Sequence, residues 1–516
     1  MTHRNHFGKS TIKTTTTTTV IYATAVAIIL LMMMTFPALG IVTNIAAFAQ
    51  EISSTTGATT SGNPPSTDNF NLENGYTIEP VVWNLTAPDS VTFDDQGNMY
   101  IAEAGYPFTG LPEVPRILKV DTTGNISVFA DQGFNAPLVD IAFYNSTLFA
   151  AHRHKVSTVD LTNGTVKDII MGLPTSGDHH VNQMAFHDGR IYVGTGSVTN
   201  AGVVSGGGFL NREWLGNEPN AHDIPAMNIT LAGENYLMPN PLTAEQDDNV
   251  TTGAFVPLGI ETNEGQVIEG DIKCTSCILS ANLDGTDLQL VGWGFRNPSG
   301  LAFNNEDRLF AVVHGADERG ARMIANDPDK FYEILLNETA WYGWPDFFGN
   351  AEPVTDPKFQ SEQSNQTLQF VMAEHPEVIS PLALFEPAHT AVIQLDFADE
   401  SFGFAGEAFV SQMGTFFPTP PELGIVGQDI VRVNPNSGNI SQFLTLEQPS
   451  TSFRPTGMLF HEEEEDGNTA LYVVDWGNLE LPPMTIPNSG IVWKIIKTEA
   501  TQTGEVLPGN NTQPGM

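Results

Sequence analysis

The chain has 516 residues and a formal net charge of −39, with 60 acidic against 21 basic residues and only two cysteines. So acidic a surface excludes nucleic acid and anionic membrane surfaces as partners, since both need a basic face, and it favours cations such as calcium. The stretch between the two terminal segments, about 425 residues, is long for one core unless the domain is built from repeats.

The N-terminus sets the compartment. Arg4, Lys9 and Lys13 precede an apolar run from about Val20 to Leu39, and Ala47-Phe48-Ala49 offers a small-x-small cleavage site before Gln50. Residues 1–49 therefore read as a signal peptide. Left uncleaved, the same run is long enough to tether the protein in a bilayer with its basic flank inside. In both cases the body lies outside the cell, extracellular or held at the cell surface. Ten Asn-x-Ser/Thr sequons, the first at Asn84 and the last at Asn510, agree with export and with a glycoprotein. Residues 50–75, rich in Ser, Thr, Gly, Pro and Asn, read as a flexible linker, and 499–516 as a disordered tail.

Residues 76–498 carry a recurring unit of apolar strand, polar turn and second apolar strand. Val91-Thr92-Phe93 leads through Asp94–Asn98 to Met99–Glu103, and Ile141-Ala142-Phe143 leads to Leu148–Ala151. Met184-Ala185-Phe186 leads to Ile191-Tyr192-Val193, Leu301-Ala302-Phe303 to Leu309–Val313, and Met458-Leu459-Phe460 to Leu471–Val474. Gly406–Val410 preserves the second half of a further copy. Third strands follow several copies, as in Arg116–Val120 and Val431-Arg432-Val433. Short strands, Gly/Asn/Asp turns and almost no amphipathic helix mean an all-β chain, and six radial units mean a six-bladed β-propeller rather than a sandwich or paired barrels. Two long insertions, roughly Val198–Leu290 and Asp317–Gly403, are expected as loops over the top face, where a propeller binds its ligands.

Three segments carry candidate chemistry. Before the third copy stands Asp178-His179-His180, where a carboxylate beside an imidazole suits a general base. His180 could take the role instead, because only one of two neighbours on an extended segment faces the axis. Before the fourth copy stands Gly294-Phe295-Arg296-Asn297-Pro298, a planar cation beside an amide, suited to an anion or a polarised oxygen. The plainer reading of Arg296 is a surface ion pair. After the fourth copy comes His314-Gly315-Ala316-Asp317-Glu318-Arg319, where backbone carbonyls with Asp317, Glu318, Asp327 and Asp329 supply the oxygen donors that calcium prefers. The two cysteines, Cys274-Thr275-Ser276-Cys277, read as a local disulfide in an exported protein.

Together, Gly294–Phe303, Gly315 and Trp341-Tyr342-Gly343-Trp344-Pro345-Asp346-Phe347 resemble the soluble glucose/sorbosone dehydrogenases, six-bladed propellers that use pyrroloquinoline quinone (PQQ) and calcium. Asp178-His179 looks like that family's base segment, and the likeness runs from about Tyr76 to Lys497. The resemblance implies that His179 takes a proton from a sugar or aldehyde substrate as hydride passes to the quinone. It also implies that Arg296 and Asn297 contact the cofactor's carbonyls, that the Gly315 and Ala316 carbonyls hold calcium, and that Arg454 meets a cofactor carboxylate. Electrons would pass to an external acceptor. One departure stands out: no Lys or Arg lies between Lys358 and Arg432, where glucose-oxidising relatives present a basic residue from the fifth blade. Arg153, Arg319 and Arg322 are the candidates to replace it. The alternatives are a carbohydrate- or partner-binding propeller that has lost the cofactor, and a calcium-dependent lactonase-like hydrolase.

Overall fold

A computed structural model describes residues 57–105, 114–206, 214–243, 248–364, 366–415, 425–448, 452–463, 467–480 and 484–498. The leader read over 1–49, the tail over 499–516 and the sequons at Asn365 and Asn510 lie outside these residues.

Six antiparallel sheets follow one another along the chain. Blade 1 is Pro88–Phe93, Met99–Glu103, Arg116–Val120 and Ile126–Ala130; blade 2 is Leu138–Tyr144, Thr147–His152, Lys155–Val159 and Val166–Met171. Blade 3 is Val181–His187, Arg190–Thr195, Cys277–Asn282 and Gln289–Trp293, with Ala340–Trp341 added in parallel at its edge. Blade 4 is Pro298–Phe303, Leu309–Val313, Asp329–Ile334 and Ala383–Phe385. Blade 5 is Val392–Phe397, Ala408–Gln412, Asp429–Val433 and Ile440–Leu446; blade 6 is Pro455–Glu462, Thr469–Asp475 and Gly490–Lys497. The fourth strand of blade 6 is Tyr76–Leu85 from the other end of the chain, which closes the ring. The first strand of each blade packs on the next around the axis, with blade 6 returning to blade 1. The all-β six-bladed propeller read from the repeats is the observed fold.

Three boundaries differ from the sequence reading. The third and fourth strands of blade 3 fall inside the stretch read as the first insertion, which therefore spans only the loop between Thr195 and Cys277. The second insertion contains blade 4's outer strands and the first strand of blade 5, so the apparent half-copy at Gly406 is complete. Within the stretch read as linker, Phe70–Leu72 pairs with Ile440–Leu446 as a fifth strand of blade 5. Phe70 there stands edge-on to Phe453 and Trp493, each at 5.0 Å between ring centres.

The axis is stitched by polar side chains where a hydrophobic core would be expected. In every blade the pairing of the first two strands slips near its start, at Pro88/Ser90, Leu138/Asp140, Val181/Met184, Pro298/Gly300, Val392/Leu395 and Pro455/Met458. A slip of this kind releases a backbone amide from the ladder. Neighbouring blades collect these amides: Met184 N donates to Asp140 Oδ2 (2.8 Å), Leu301 N to Gln183 Oε1 (3.0 Å) and Met458 N to Gln394 Oε1 (3.0 Å). Ser90 Oγ donates to Asp140 Oδ1 (2.7 Å), Ser299 Oγ to Val392 O (2.7 Å) and Thr456 Oγ1 to Pro88 O (3.3 Å), so all six junctions are bridged. Close approach needs a missing side chain: a Cβ on Gly300 would stand 2.9 Å from Ile393 O on blade 5.

Candidate active site at the propeller mouth

In such a ring, the segments leading into each first strand and those joining second to third strands lie at one end of the axis. His179 (before Val181), Arg296 and Asn297 (before Pro298) and Arg454 (before Pro455) therefore share that end with the loops after Thr195, Val313, Gln412 and Asp475.

His179 and the Arg296-Asn297 pair come together through the loop after blade 3's second strand. The Nδ1 of His179 lies 2.9 Å from Ser197 O and 3.1 Å from Ser197 Oγ, while Ser197 N donates to Arg296 O at 2.8 Å. Ser197 thus fixes the ring and the arginine's backbone at once. With the proton held on Nδ1, Nε2 is the acceptor, and it has no partner among the described residues. Burial, then the charges of Arg296, His314 and Arg319, hold the imidazole well below its usual value, so the ring is neutral. Gly196 makes the approach possible, because a Cβ there would stand 2.3 Å from both Asn297 Oδ1 and His179 Cβ.

Asn297 is fixed from both sides. Its Oδ1 accepts from Asn182 Nδ2 at 2.7 Å, and its Nδ2 donates to His314 Nδ1 at 3.1 Å. His314 Nε2 in turn donates to Val392 O at 2.5 Å. The rings of His179 and His314 stand 6.1 Å apart.

The structure corrects the role expected of Asp178. Its carboxylate accepts from Arg319 (2.6 Å) and from Trp214 Nε1 (3.1 Å), and the orienting partner of His179 is Ser197. Gly177 and Asp178 form a bend ahead of the strand, so sequence adjacency did not bring the carboxylate to the ring. His180 faces Arg153 and His154 instead, and burial lowers it to about 3.

Asp317 is also corrected, from metal ligand to anionic brace. Its carboxylate accepts from Arg296 (2.6 Å) and Arg319 (2.9 Å) and faces His389 Nδ1 at 3.3 Å. Burial alone would push the carboxyl up, but these three groups hold it well below the usual range. Asp327 accepts from Ala316 N (2.6 Å) and Lys330, and Asp329 from Gly315 N (2.7 Å), Thr390 and Val392 N. These carboxylates are therefore spent on cations and amides. The Gly315 and Ala316 amides point at them, and among the described residues neither residue's carbonyl accepts a hydrogen bond.

The arginines divide into two groups. Arg153 pairs with Glu218, Arg319 with Asp178 and Asp317, and Arg322 with Asp346, so none of the three candidates carries a free charge. Arg454 alone among the described arginines forms no ion pair. It is 5 % exposed, and its NH1 donates to Met413 O (3.2 Å) and Thr415 O (2.8 Å). Those carbonyls belong to the fifth-blade segment that lacks a basic residue, so the blade 6 arginine reaches across to it. Among the described residues the buried Nε atoms of Arg454 and Arg296 lack an acceptor, as do those of Arg153, Arg322 and Arg432, so what sets Arg454 apart is the missing ion pair. Beside Arg454 lies an apolar patch of Ala87, Ala104, Met413 and Trp476, flanked by Ala391 and Ile393. Residues 389–392 join the two halves: His389 and Thr390 reach Asp317 and Asp329, while Ala391 O accepts from Met413 N at 2.9 Å.

Sequence reasoning missed Ser197, Asn182's grip on Asn297, His314 and Trp476. The one available signal was their place, each at or next to the same end of a blade's first or second strand.

No family model and no curated protein matches the sequence. Solved structures do. A Trichoderma reesei carbohydrate-active enzyme of family AA12, solved in calcium and iodide forms, superposes with a TM-score of 0.51 at 17 % identity, over 85 % of this chain and 100 % of that one. The PQQ domain of a Coprinopsis cinerea pyranose dehydrogenase, in its holo form, gives 0.51 at 15 % identity, over 84 % and 98 %. At this identity the likeness is one of fold.

Proposed function

We propose that this chain is a dehydrogenase that oxidises a sugar or sugar-derived aldehyde at the propeller mouth, using PQQ and calcium. The observation that carries the reading is a neutral, oriented imidazole whose Nε2 has no partner among the described residues, in one mouth with the buried guanidinium groups of Arg296 and Arg454. The PQQ-bearing domain of similar fold supports the choice of cofactor.

The donor set fits both groups. A tricarboxylate calls for buried cations that are not already neutralised, and Arg454 is one, set against an apolar patch with the flat ring of Trp476. Calcium calls for about six to eight oxygen donors, of which the carbonyls of Gly315 and Ala316, unclaimed among the described residues, offer two. PQQ, when bound, supplies the hydride acceptor.

The chain's own groups do the rest. His179 Nε2 accepts the proton of the substrate hydroxyl, and the Ser197 bond at Nδ1 keeps the tautomer that allows it. Its low affinity for protons in the free protein reflects burial and the nearby cations, and an anion bound beside Arg296 raises it towards working pH. Arg296 Nε donates to an oxygen that gains negative charge, in a setting where the donor is already oriented. Asp317 keeps the Arg296 guanidinium from turning away. The leader adds export, released or tethered, with electrons leaving to an external acceptor.

The test is reconstitution. Purified protein with PQQ and calcium should reduce an artificial acceptor when given an aldose or an aldehyde. Absence of cofactor uptake at micromolar PQQ, with glycan binding retained, would replace this reading with a carbohydrate-binding propeller.

A further inference from the structure

We infer that the Cys274–Cys277 disulfide is a positioning clamp for the segment that carries Arg296, so that ligand affinity at the mouth depends on the pair being oxidised. The inference rests on the proposed cofactor site for its functional reading, and on backbone geometry alone for the clamp.

The two cysteines form a disulfide across a separation of three residues, and both are fully buried. A loop so short constrains the unfolded chain little, and closure entropy grows with loop length, so global stabilisation is a poor account of it. Its local effect is larger. Inside the loop Ser276 adopts a φ of +59°, a left-handed conformation that a non-glycine residue rarely holds unaided. In that conformation its carbonyl accepts two hydrogen bonds, from Gly294 N (2.9 Å) and Phe295 N (3.0 Å). The next residue is Arg296, whose own carbonyl is held by Ser197, the partner of His179. The hydroxyl of Ser276 is buried without a partner, so the residue's backbone is the anchor.

The loop itself is held from behind. Thr195 Oγ1 lies 2.9 Å from Cys274 O and 3.2 Å from Cys277 O, and Thr275 exchanges hydrogen bonds with Ile224 through N–H···O at 2.9 Å and N–H···Oγ1 at 3.1 Å. These bonds fix the ends of the turn, while the sulfur bridge fixes its curvature. Opening the bridge lets Ser276 relax to negative φ, which swings the carbonyl off Gly294 and Phe295. Arg296 then loses two of the backbone bonds that place it, whereas His179 keeps its bond to Ser197.

The experiment compares the full-length wild type with C274A/C277A. Two readouts are taken: the PQQ dissociation constant in calcium, from tryptophan quenching, and hydrogen exchange at the Gly294 and Phe295 amides. The clamp predicts a dissociation constant raised tenfold or more, faster exchange at those two amides, and an unchanged pH midpoint of the rate. A lower melting temperature with unchanged affinity and exchange would overturn it, because the bridge would then serve stability alone. Should the double variant fail to fold, wild type reduced under native conditions gives the same two readouts. Should wild type take up no PQQ, the proposed function falls, and the clamp is decided by exchange alone.

Discussion

At the hub of the propeller, Asp140, Gln183 and Gln394 each bridge blades, and every junction closes a hydrogen bond. A few residues away on the same segments, at the mouth, His179 Nε2, Arg296 Nε and Arg454 Nε find no partner among the described residues. Both regions are buried, so exposure does not explain the contrast. The hub is polar because six strands converge too closely for large apolar side chains, and a buried polar group is tolerated once it is paired. The mouth keeps its donors unpaired at a cost to stability, and such a cost persists where a ligand supplies the missing partner.

The hub offers the largest expected effect. Burial raises Asp140 to about 7, with hydrogen bonds from Ser90, Met184 and Gln394 pulling it partly back. A folded-state value above the unfolded one means that the proton is bound more tightly in the folded protein. The stabilisation is complete below about pH 4 and is lost as the pH rises through 7, a swing on the order of 4 kcal/mol. Burial also raises Asp429 to about 7 and Asp223, Asp396 and Asp475 to about 6, with the same sign. Burial holds His152 at about 4 and His180 at about 3, and their contribution has the opposite sign, lost as the pH falls below 6.5, so the hub is tested by difference from wild type. Asp140→Asn removes the titration and should melt above wild type at pH 8 while losing that advantage at pH 5. A melting difference between Asp140→Asn and wild type that stays the same at pH 5 and pH 8 would break the account of the hub.

The next effect belongs to the mouth. His179→Ala should lower the rate of substrate oxidation by about 10²–10⁴, the usual worth of a general base, with the fold retained. A rate within threefold of wild type would move the base elsewhere.

How much of this contrast the sequence revealed depends on which interactions are local. The blades were legible because each apolar-turn-apolar unit is contiguous, as in Val91–Glu103 and Met184–Val193. Blade 5 was obscured because ten residues, 398–407, replace its short turn. Phe70–Leu72 was hidden because three residues carry too little pattern to mark a strand. The candidate base was legible from its place before a repeat, but its partner Ser197 is 18 residues away with no motif between. Asp178 adjoins the base in sequence, but it lies in a bend ahead of the strand and its carboxylate pairs with Arg319. Asp317 looked like a calcium ligand because its charge is visible in sequence, whereas the arginines that consume it come from 21 residues upstream and from the next turn. The reach of Arg454 to the fifth blade, across 39 residues to Thr415, has no sequence signature.

Arg454→Met sharpens the comparison, since it asks whether the unpaired donor is a cost in the free protein. Removing a buried cation that forms no ion pair, and whose charge is only partly offset by Asp475, should leave the free protein equally or more stable, because the desolvation penalty goes with it. The same change should weaken PQQ binding about 100-fold, roughly 2.7 kcal/mol, the low end for losing one partner of a buried charged contact. Calorimetric melting without ligand and a binding titration check the two halves. A clear fall in melting temperature with unchanged affinity would make Arg454 a strut for the Met413 and Thr415 carbonyls, and the hub and mouth would then obey one rule.

The smallest effect tests how rigid the mouth is. An alanine methyl at Gly196 would lie 2.3 Å from Asn297 Oδ1 and from His179 Cβ, so at least one of the two must move by several tenths of an ångström. Asn297 resists, because the 2.7 Å bond from Asn182 and the contact with His314 hold its amide at both ends. His179 has a single point of attachment, Ser197, and is the group expected to yield. Gly196→Ala should therefore lower kcat/KM by about tenfold through misplacement of the base, at a stability loss of about 1–2 kcal/mol from overpacking. The pH 5 to pH 8 melting difference should stay that of wild type, because Asp140 on blade 2 is not touched. Full activity in this variant would mean that the mouth adjusts freely, and its unpaired donors would then be mobile groups that find water rather than fixed positions for a ligand.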